Sequence, residues 1–285
     1  MNVTAAGICG SDLHMLGQGE HPFVLGHEFG GVLEDGRLVA VQPFTPCHDC
    51  PPCREGLDHL CVARSLFHGV SRDGGMADRV LVDPAALVLL PPAVDPLAVA
   101  LVEPLAVVLH GLHRLGDLEG RRLLVIGGGS IGLLAVAAGR GGGAAMGLLA
   151  RYDAQREAAQ RLGAEAPVGD GYDVVIDAVG SQASLNEAVQ RVASGGTILE
   201  LGFPWEPLKL PTDILVNEID FLPSILYGHH HGAWEFEMAA RLLADLPDLH
   251  SVLVTHRFPL ERADEAFRVA ADRRAGAIKV HLVPG

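Results

Sequence analysis

Short apolar segments separated by glycine and proline fill the first hundred residues, and this pattern predicts short strands joined by loops. Residues 32–39 form two apolar runs around an Asp-Gly pair, which predicts a β-hairpin. A further strand is predicted over 76–82, where an Asp-Pro pair would end it. The front of the chain is therefore expected to be a mainly β domain.

From Leu97 onward the pattern changes to short apolar runs that alternate with helical segments. Such runs are typical of strands that are buried on both faces of a parallel sheet. The predicted strands cover 123–126, 146–149, 174–176, 197–201 and 222–227, and the predicted helices between them cover 133–138, 154–162 and 185–192. This series of βαβ units predicts an α/β fold with a right-handed, doubly wound parallel sheet.

After residue 227 the pattern becomes mixed again, which suggests that the chain returns to its first domain. The segments concerned are helices at 234–243 and 263–271, a short apolar run at 252–254 and a strand at 278–283. We therefore predict one domain from residues 1–103 with 227–285, and a second domain from residues 104–226.

The overall composition narrows the range of functions. A length of 285 residues agrees with two domains, and a formal net charge of −14 argues against nucleic acid or an anionic membrane as a partner. The best apolar run, 99–112, contains Glu103, Pro104 and His110, so no membrane span is predicted. The first residues lack the features of a secretory signal, and a cytoplasmic protein is expected.

Four of the five cysteines lie close together in the spacing C-x2-C-x2-C-x7-C. This spacing is typical of a tetrahedral zinc site, whose sulfurs lie about 2.3 Å from the metal. Disulfides or free thiols are alternatives, but disulfides are rare in chains without a secretory signal. A zinc ribbon that binds nucleic acid shares the spacing and conflicts with the acidic charge. We predict a structural zinc lobe at about 44–62, held by Cys47, Cys50, Cys53 and Cys61.

A glycine-rich segment follows the first predicted strand of the parallel sheet and opens a helix. The pattern G-x-G-x-x-G is formed here by Gly127, Gly129, Ser130, Ile131 and Gly132. Glycines at these positions let backbone N–H groups approach a pyrophosphate at the N-terminus of the helix. The segment therefore predicts a dinucleotide site, with a tight turn that binds nothing as the alternative.

The end of the second strand in such a sheet distinguishes NAD from NADP, because an acid there binds the ribose 2′-hydroxyl and an arginine binds the 2′-phosphate. The position expected to be acidic is Ala150, and Arg151 and Tyr152 follow it. We expect Arg151 to bind the phosphate and Tyr152 to stack on the adenine. NADP is therefore favoured over NAD, with a solvated surface arginine as the alternative for Arg151.

The remaining metal-ligand chemistry lies in two segments near the start of the chain. A catalytic zinc needs three protein ligands and an open position. Cys9 and His27 offer a thiolate and an imidazole, and Glu28 and Glu103 are candidates for the third ligand. Glu103 lies in an apolar stretch, where a glutamate must be paired, protonated or metal-bound. A buried carboxylate paired with an arginine is the alternative for Glu103.

Longer motifs occur in one order along almost the whole chain. They are GICGSDLH at 7–14, GHE at 26–28, the four-cysteine segment, EPLAVVLHG at 103–111, VIGGGSIG at 125–132, THRFPLERADEAF at 255–267 and GAIKV at 276–280. In these motifs the chain resembles the zinc-dependent medium-chain alcohol dehydrogenases, the group that includes sorbitol and threonine dehydrogenases. The resemblance implies a GroES-like catalytic domain beside a Rossmann domain, two zinc ions per chain, NAD(P)(H) as cofactor and a homo-oligomer, either a dimer or a tetramer.

The resemblance also implies roles for the residues around the catalytic zinc. Cys9 and His27 would bind the metal, and Glu28 would be a direct or exchanging ligand. Glu103 would lie at the metal or hold its water. Asp12 would fix the tautomer of His27, as metal-bound imidazoles usually require.

The proton path is implied in the same way. Ser11 would contact the alcohol oxygen and His14 would continue the path to solvent, with a polar loop histidine as the alternative for His14. The implied reaction transfers a hydride between a small alcohol or polyol, or the matching aldehyde or ketone, and NADP(H).

Two features differ from the family pattern. Family members carry several tens of residues before the GICGSD motif, whereas eight residues precede Cys9 here, and the segment between His27 and Cys47 is short. We therefore expect a GroES-like domain that lacks its first strands. Two alternative functions stay open: a degenerate dehydrogenase that binds zinc and nucleotide without turnover, and the same enzyme using NAD(H).

Overall fold

The computed structural model describes residues 1–19, 21–63 and 66–285, with the backbone alone at Arg273. The chain divides into two units. One is formed by Met1–Ala106 with Tyr227–Gly285, and the other by Val107–Leu226. The first boundary falls inside the helix Val102–Arg114, a few residues after the boundary predicted at 103.

The strands follow in chain order. They are β1 (Asn2–Gly7), β2 (Glu28–Val32), β3 (Leu38–Val41), β4 (Leu87–Leu89), β5 (Arg122–Ile126), β6 (Ala145–Leu149), β7 (Tyr172–Asp177), β8 (Val192–Glu200), β9 (Asp220–Pro223), β10 (His229–His230), β11 (Ala233–Trp234), β12 (Val254–Phe258) and β13 (Lys279–Leu282). The α-helices are α1 (Gly10–Gly17), α2 (Pro51–Arg54), α3 (Val102–Arg114), α4 (Ser130–Gly141), α5 (Asp153–Arg161), α6 (Gln182–Arg191), α7 (Thr212–Val216), α8 (Glu235–Asp245), α9 (Leu249–Leu253) and α10 (Ala263–Ala271).

The first unit contains a six-stranded sheet in the order β12-β13-β1-β2-β3-β4. Its neighbouring strands are antiparallel except for β12 and β13, which run parallel. The predicted hairpin is confirmed, because β2 pairs with β3 around the Asp-Gly turn. The strand β13, close to the end of the sequence, lies beside β1, and this brings Lys279 to the front of the chain.

The strand predicted over 76–82 is wrong. Among these residues, Arg79 forms an isolated bridge to Asn2, and no strand is formed. The amides of residues 74–76 donate instead to the carbonyls of residues 24–26, which are themselves outside any strand. Backbone hydrogen bonds also join Val3 N–H to the Asp78 carbonyl and Val80 N–H to the Met1 carbonyl, so the run contacts β1 at one bridge and does not continue as a strand.

The second unit contains a five-stranded, all-parallel sheet in the order β6-β5-β7-β8-β9, which confirms the doubly wound fold. The chain moves outward from β5 to β6 and then returns to the other side of β5 at β7. The ends of β5 and β7 therefore form the switch point, where ligands bind in such sheets. The last predicted strand, 222–227, is displaced: β9 begins at Asp220 and ends at Pro223, which has no N–H to continue a ladder.

The core of the second unit lies between the sheet and α6. Leu124, Val175 and Ile198 come from three neighbouring strands, and Leu185 comes from the helix; each of these is fully buried. No described helix is both long and apolar enough to cross a membrane.

Candidate metal centres and nucleotide site

Cys9 and His27 are arranged by one buried carboxylate. Cys9 is the residue that precedes α1, and its backbone N–H donates to Asp12 Oδ2 at 2.8 Å. The other oxygen of Asp12 lies 3.5 Å from His27 Nδ1, and Asp12 has no exposed surface. Asp12 therefore caps the start of the helix and lies on the Nδ1 side of the imidazole, away from Nε2.

Three ligand types meet at this point. One ligand atom from each of Cys9, His27 and Glu28 lies within 4.8 Å of the other two. Gly7 lies opposite Glu28 across the β1–β2 pair, and a Cβ at Gly7 would clash with Glu28 Oε2. A thiolate, an imidazole and a carboxylate are zinc ligands, and three of them leave a tetrahedral position open. The donor set therefore fits a catalytic zinc.

Lys279 is buried beside this cluster. Its Nζ lies 2.5 Å from Glu28 Oε2 and donates to the carbonyl oxygen of Ile8 at 3.2 Å. Lys279 and Glu28 are each 2 % exposed. Burial alone would lower the pKa of Lys279, but the charge of Glu28 raises it above its ordinary value, so the lysine stays cationic.

Glu103 lies in the first turn of α3 and is 6 % exposed. Burial raises the pKa of this carboxyl to about 7, while the charge of His27 opposes the rise and that of Glu28 adds to it. Burial, followed by the negative charge of Glu103, raises the pKa of Tyr227 well above its ordinary value. The charges of the cluster thus act on Glu103, and this carboxyl can hold a proton near neutral pH.

The residues expected to carry the proton, Ser11 and His14, lie on α1, and Ser11 is close to His27. Burial would lower the pKa of His27, but the charges of Asp12 and Cys9 raise it well above its ordinary value. Ser11 Oγ lies 3.4 Å from His27 Nε2. The ring of His14, further along α1, contacts Gln18 Nε2 at 2.7 Å. The structure therefore brings Ser11 to the cluster and places His14 on the same helix.

The four clustered cysteines come together as a separate site. The four Sγ atoms all lie within 4.8 Å of one another, and those of Cys50 and Cys53 are 3.4 Å apart. Pro51 and Pro52 open the short helix α2 directly after Cys50 and turn the chain around the sulfurs. Four thiolates at these separations fit one tetrahedral zinc ion.

The glycine loop after β5 is open where a pyrophosphate would approach. Gly127 has a φ of +103°, and a Cβ at Gly132 would clash with the Gly127 carbonyl oxygen. Gly129 directly precedes α4, and a Cβ there would meet nothing within 4 Å. The loop therefore needs glycine for its turn and its packing, and it leaves free space at the N-terminus of α4, as a dinucleotide requires.

Two arginines lie near the end of β6, one in the loop after it and one on α5, and position 150 is an alanine where an acid would bind the ribose. Arg151 is exposed, and Tyr152 directly precedes α5. Arg156 donates from Nη1 to the carbonyl oxygen of Ala150 at 2.8 Å and also pairs with Asp153. Two guanidinium groups are thus located near the residue that would face the ribose.

Comparisons with known proteins agree with this architecture. Residues 1–92 match the family described as "Alcohol dehydrogenase GroES-like domain", and residues 97–282 match "Glucose dehydrogenase C-terminus". L-galactonate-5-dehydrogenase of Escherichia coli is 31 % identical over 94 % of this chain and 86 % of its own length. The chain belongs to the zinc-dependent medium-chain alcohol dehydrogenase family.

Two further members of this family are similar over nearly the whole chain. Sorbitol dehydrogenase of Bacillus subtilis is 29 % identical over 100 % of this chain and 89 % of its own length. A zinc-binding dehydrogenase of Sinorhizobium meliloti, solved with NADP, superposes with a TM-score of 0.89 at 31 % identity, over 99 % of this chain and 91 % of that one. As a medium-chain dehydrogenase, the chain is an alcohol or polyol oxidoreductase that binds NAD(P), and both the resemblance and the fold class are confirmed.

Sequence reasoning missed two residues of the cluster in this dehydrogenase. Lys279 is one of only two lysines, and it stands inside the apolar run 278–283, which was a usable signal that it must be paired. Tyr227, fully buried beside Glu103, gave no such signal, because a tyrosine at the end of an apolar run is ordinary core composition.

Proposed function

We propose that this dehydrogenase oxidises a small alcohol or polyol, or reduces the matching aldehyde or ketone, with NADP(H) and a catalytic zinc held by Cys9, His27 and Glu28. The observation that carries the proposal is the convergence of these three ligand atoms within 4.8 Å, with Asp12 behind the imidazole. Glu28 is the favoured third ligand, because Glu103 does not join the cluster of ligand atoms among the described residues.

When bound, the zinc would polarise the substrate oxygen and the nicotinamide would exchange the hydride. Ser11 Oγ would hold the alcohol hydroxyl and accept its proton, and His14 would pass that proton toward solvent. Asp12 lies 3.5 Å from His27 Nδ1 and would orient the imidazole so that Nε2 binds the metal. Lys279 offsets the charge of Glu28, so the cluster does not accumulate unpaired carboxylates.

Glu103 would serve as the buried group that holds a proton or a water molecule beside the metal. Its pKa of about 7 means that both protonation states are populated near neutral pH. The second zinc would be held by Cys47, Cys50, Cys53 and Cys61 and would stabilise the lobe that surrounds it.

Metal counting combined with an activity panel tests this function. We expect two zinc ions per chain and turnover of at least one alcohol or polyol with NADP⁺ or NAD⁺. Two zinc ions without turnover of any member of the panel, or a single zinc ion, would favour a degenerate dehydrogenase that only binds zinc and nucleotide.

The preference for NADP rests on the end of β6. Ala150 provides no carboxylate to bind a ribose 2′-hydroxyl or to repel a phosphate. Arg151 is exposed and would turn toward a 2′-phosphate, while Arg156 adds positive charge beside Ala150, although it is paired with Asp153.

Arg151→Ala should therefore raise the KM for NADP⁺ by about tenfold or more, since one charge-assisted contact to phosphate is lost. The KM for NAD⁺ should change by less than about twofold, because NAD⁺ lacks the 2′-phosphate. Arg161→Ala, at the opposite end of α5, is the matched control and should alter neither value. Equal effects of Arg151→Ala on both cofactors would refute the assignment to NADP.

We also propose a homo-oligomer, either a dimer or a tetramer, in the cytoplasm. Leu210, Leu215 and Val216 are between 58 % and 80 % exposed, and they precede the edge strand β9. Exposed apolar side chains next to an open strand edge are typical of an interface, and sedimentation velocity measures the subunit number. The free thiols of all five cysteines suit a reducing compartment.

A further inference from the structure

Two buried carboxyl groups lie side by side at the switch-point edge of the parallel sheet. Asp177 ends β7 and Glu200 ends β8, and the two are direct partners in the ladder. Asp177 has no exposed surface and Glu200 is 5 % exposed. Neither residue belongs to the zinc cluster or to the glycine motif, and the reaction proposed above does not use them.

Three of the four carboxyl oxygens have no hydrogen-bond partner in the described part of the chain. Asp177 Oδ1 accepts from the N–H groups of Val179 at 2.8 Å and Gly180 at 3.2 Å. Asp177 Oδ2 and both oxygens of Glu200 are unpartnered. Orphaned oxygens at this depth are costly, so the arrangement lacks at least one donor.

The two groups nearest the pair, Ser184 and Gly202, favour the ionised carboxylates, but both direct their hydrogen bonds to main-chain carbonyls. Ser184 approaches from α6, but its hydroxyl donates to the Ser181 carbonyl oxygen at 2.9 Å. The N–H of Gly202 donates to the main-chain carbonyl of Asp177. No lysine, arginine or histidine of the described residues contributes to the charge around either carboxyl. A proton on the pair itself would supply such a donor.

The position of that proton follows from the surroundings. Asp177 accepts two backbone N–H bonds, which favour its ionised form. At Glu200, burial and then the charge of Asp177 raise the pKa to about 8, and the backbone N–H of Gly202 opposes this rise only in part. Glu200 is therefore the acid and Asp177 the carboxylate over the neutral range.

This pair is connected to the nucleotide loop through one short segment. The N–H of Val179 is bound by Asp177, and a Cβ at Gly127 would lie 2.6 Å from Val179 Cγ2, so Val179 packs directly against the first glycine of the motif. A Cβ at Gly180 would lie 2.7 Å from the carbonyl carbon of Gly202, so the loops after β7 and β8 touch through their backbones.

We propose that Asp177 and Glu200 carry one proton between them, held on Glu200, and act as a positioning pair, which keeps residues 178–180 against the glycine loop in the geometry that binds the dinucleotide. Loss of the proton would place two like charges beneath the two loops and push them apart. The inference rests on the nucleotide site proposed above and adds a dependence of cofactor affinity on pH that is independent of zinc.

The test compares the wild type with Glu200→Gln, which keeps the shape and can donate to Asp177 but cannot ionise. Kd for NADP⁺ and for NAD⁺ is measured from about pH 6.5 to about pH 9.5. The Kd of the wild type should rise by at least about fivefold above the midpoint near pH 8, whereas the Kd of Glu200→Gln should change by less than about twofold. Glu200→Leu, which lacks the donor, should bind about tenfold more weakly at neutral pH.

Thermal unfolding of the free protein tests the pair without any nucleotide. The folded state holds the Glu200 proton more tightly than the unfolded state does. The contribution of Glu200 to the wild-type free energy of unfolding is therefore largest below about pH 4.5, and it falls as the pH rises to about 8. The Tm of Glu200→Gln relative to the wild type should therefore rise across that window.

The outcomes separate the two proposals. A Tm difference that does not vary with pH overturns the shared proton. A pH-dependent Tm difference with a Kd that stays constant, or that rises equally in Glu200→Gln, overturns the positioning role. Failure of every variant and of the wild type to bind either nucleotide overturns the proposed function itself and, with it, this role of the pair.

Discussion

Replacing Cys9 with alanine is expected to remove one zinc ion per chain and to lower turnover by at least about a thousandfold. The reason is that the thiolate is one of the three proposed ligands, and two ligands do not hold zinc tightly enough for Lewis-acid chemistry. Nucleotide Kd should stay within about twofold of the wild type, because the glycine loop and Arg151 lie in the other unit of the chain. Zinc content, kcat and nucleotide Kd are the three measurements.

Cys53→Ala is the matched control, since it also removes one cysteine ligand and one zinc ion. Here the expected damage is structural, with a lower Tm and loss of the lobe around the four sulfurs. Cys9→Ala should retain the wild-type circular dichroism spectrum. Retained turnover in Cys9→Ala would contradict the zinc assignment directly.

The second large effect is expected at Lys279. Lys279→Met leaves the Glu28 carboxylate buried without its cation, and breaking such a pair from one side costs about 3–5 kcal/mol of unfolding free energy. Urea unfolding measures this loss. The double variant with Glu28→Gln should regain part of the lost unfolding free energy, because the uncompensated charge is then also removed.

Lys209→Met is the control for this experiment. Lys209 is the other lysine of the chain and is exposed, so its replacement should change stability by less than about 0.5 kcal/mol. If Lys279→Met unfolds at the same urea concentration as Lys209→Met, the ion pair with Glu28 does not stabilise the fold.

The features that could be predicted from the sequence are those whose physical cause is local. The cysteine spacing and the glycine loop each depend on a few neighbouring residues, and the structure gathers the sulfurs and opens the turn as expected. The alternation of apolar runs and helical segments after Leu97 predicted the parallel sheet, because each βαβ unit is itself a local pattern.

The features that escaped prediction depend on register between distant segments. Lys279 meets Glu28 only because β13 is inserted beside β1, and Asp177 meets Glu200 only through the register of β7 and β8. The wrong prediction of a strand at 76–82 has the same origin, since this segment exchanges backbone hydrogen bonds with residues 1–3 but does not extend them into a ladder. A single sequence shows none of these pairings.

The position of Lys279 has a consequence for how the protein acquires its metals during synthesis. The four cysteine ligands lie within fifteen residues, so that lobe can bind zinc while the ribosome is still making the rest of the chain. The cation that balances Glu28 is encoded 251 residues later, on a strand that must first insert into the sheet. If both proposed sites bind zinc, the structural ion can therefore bind first, and the catalytic ion is expected only after the chain has closed on itself.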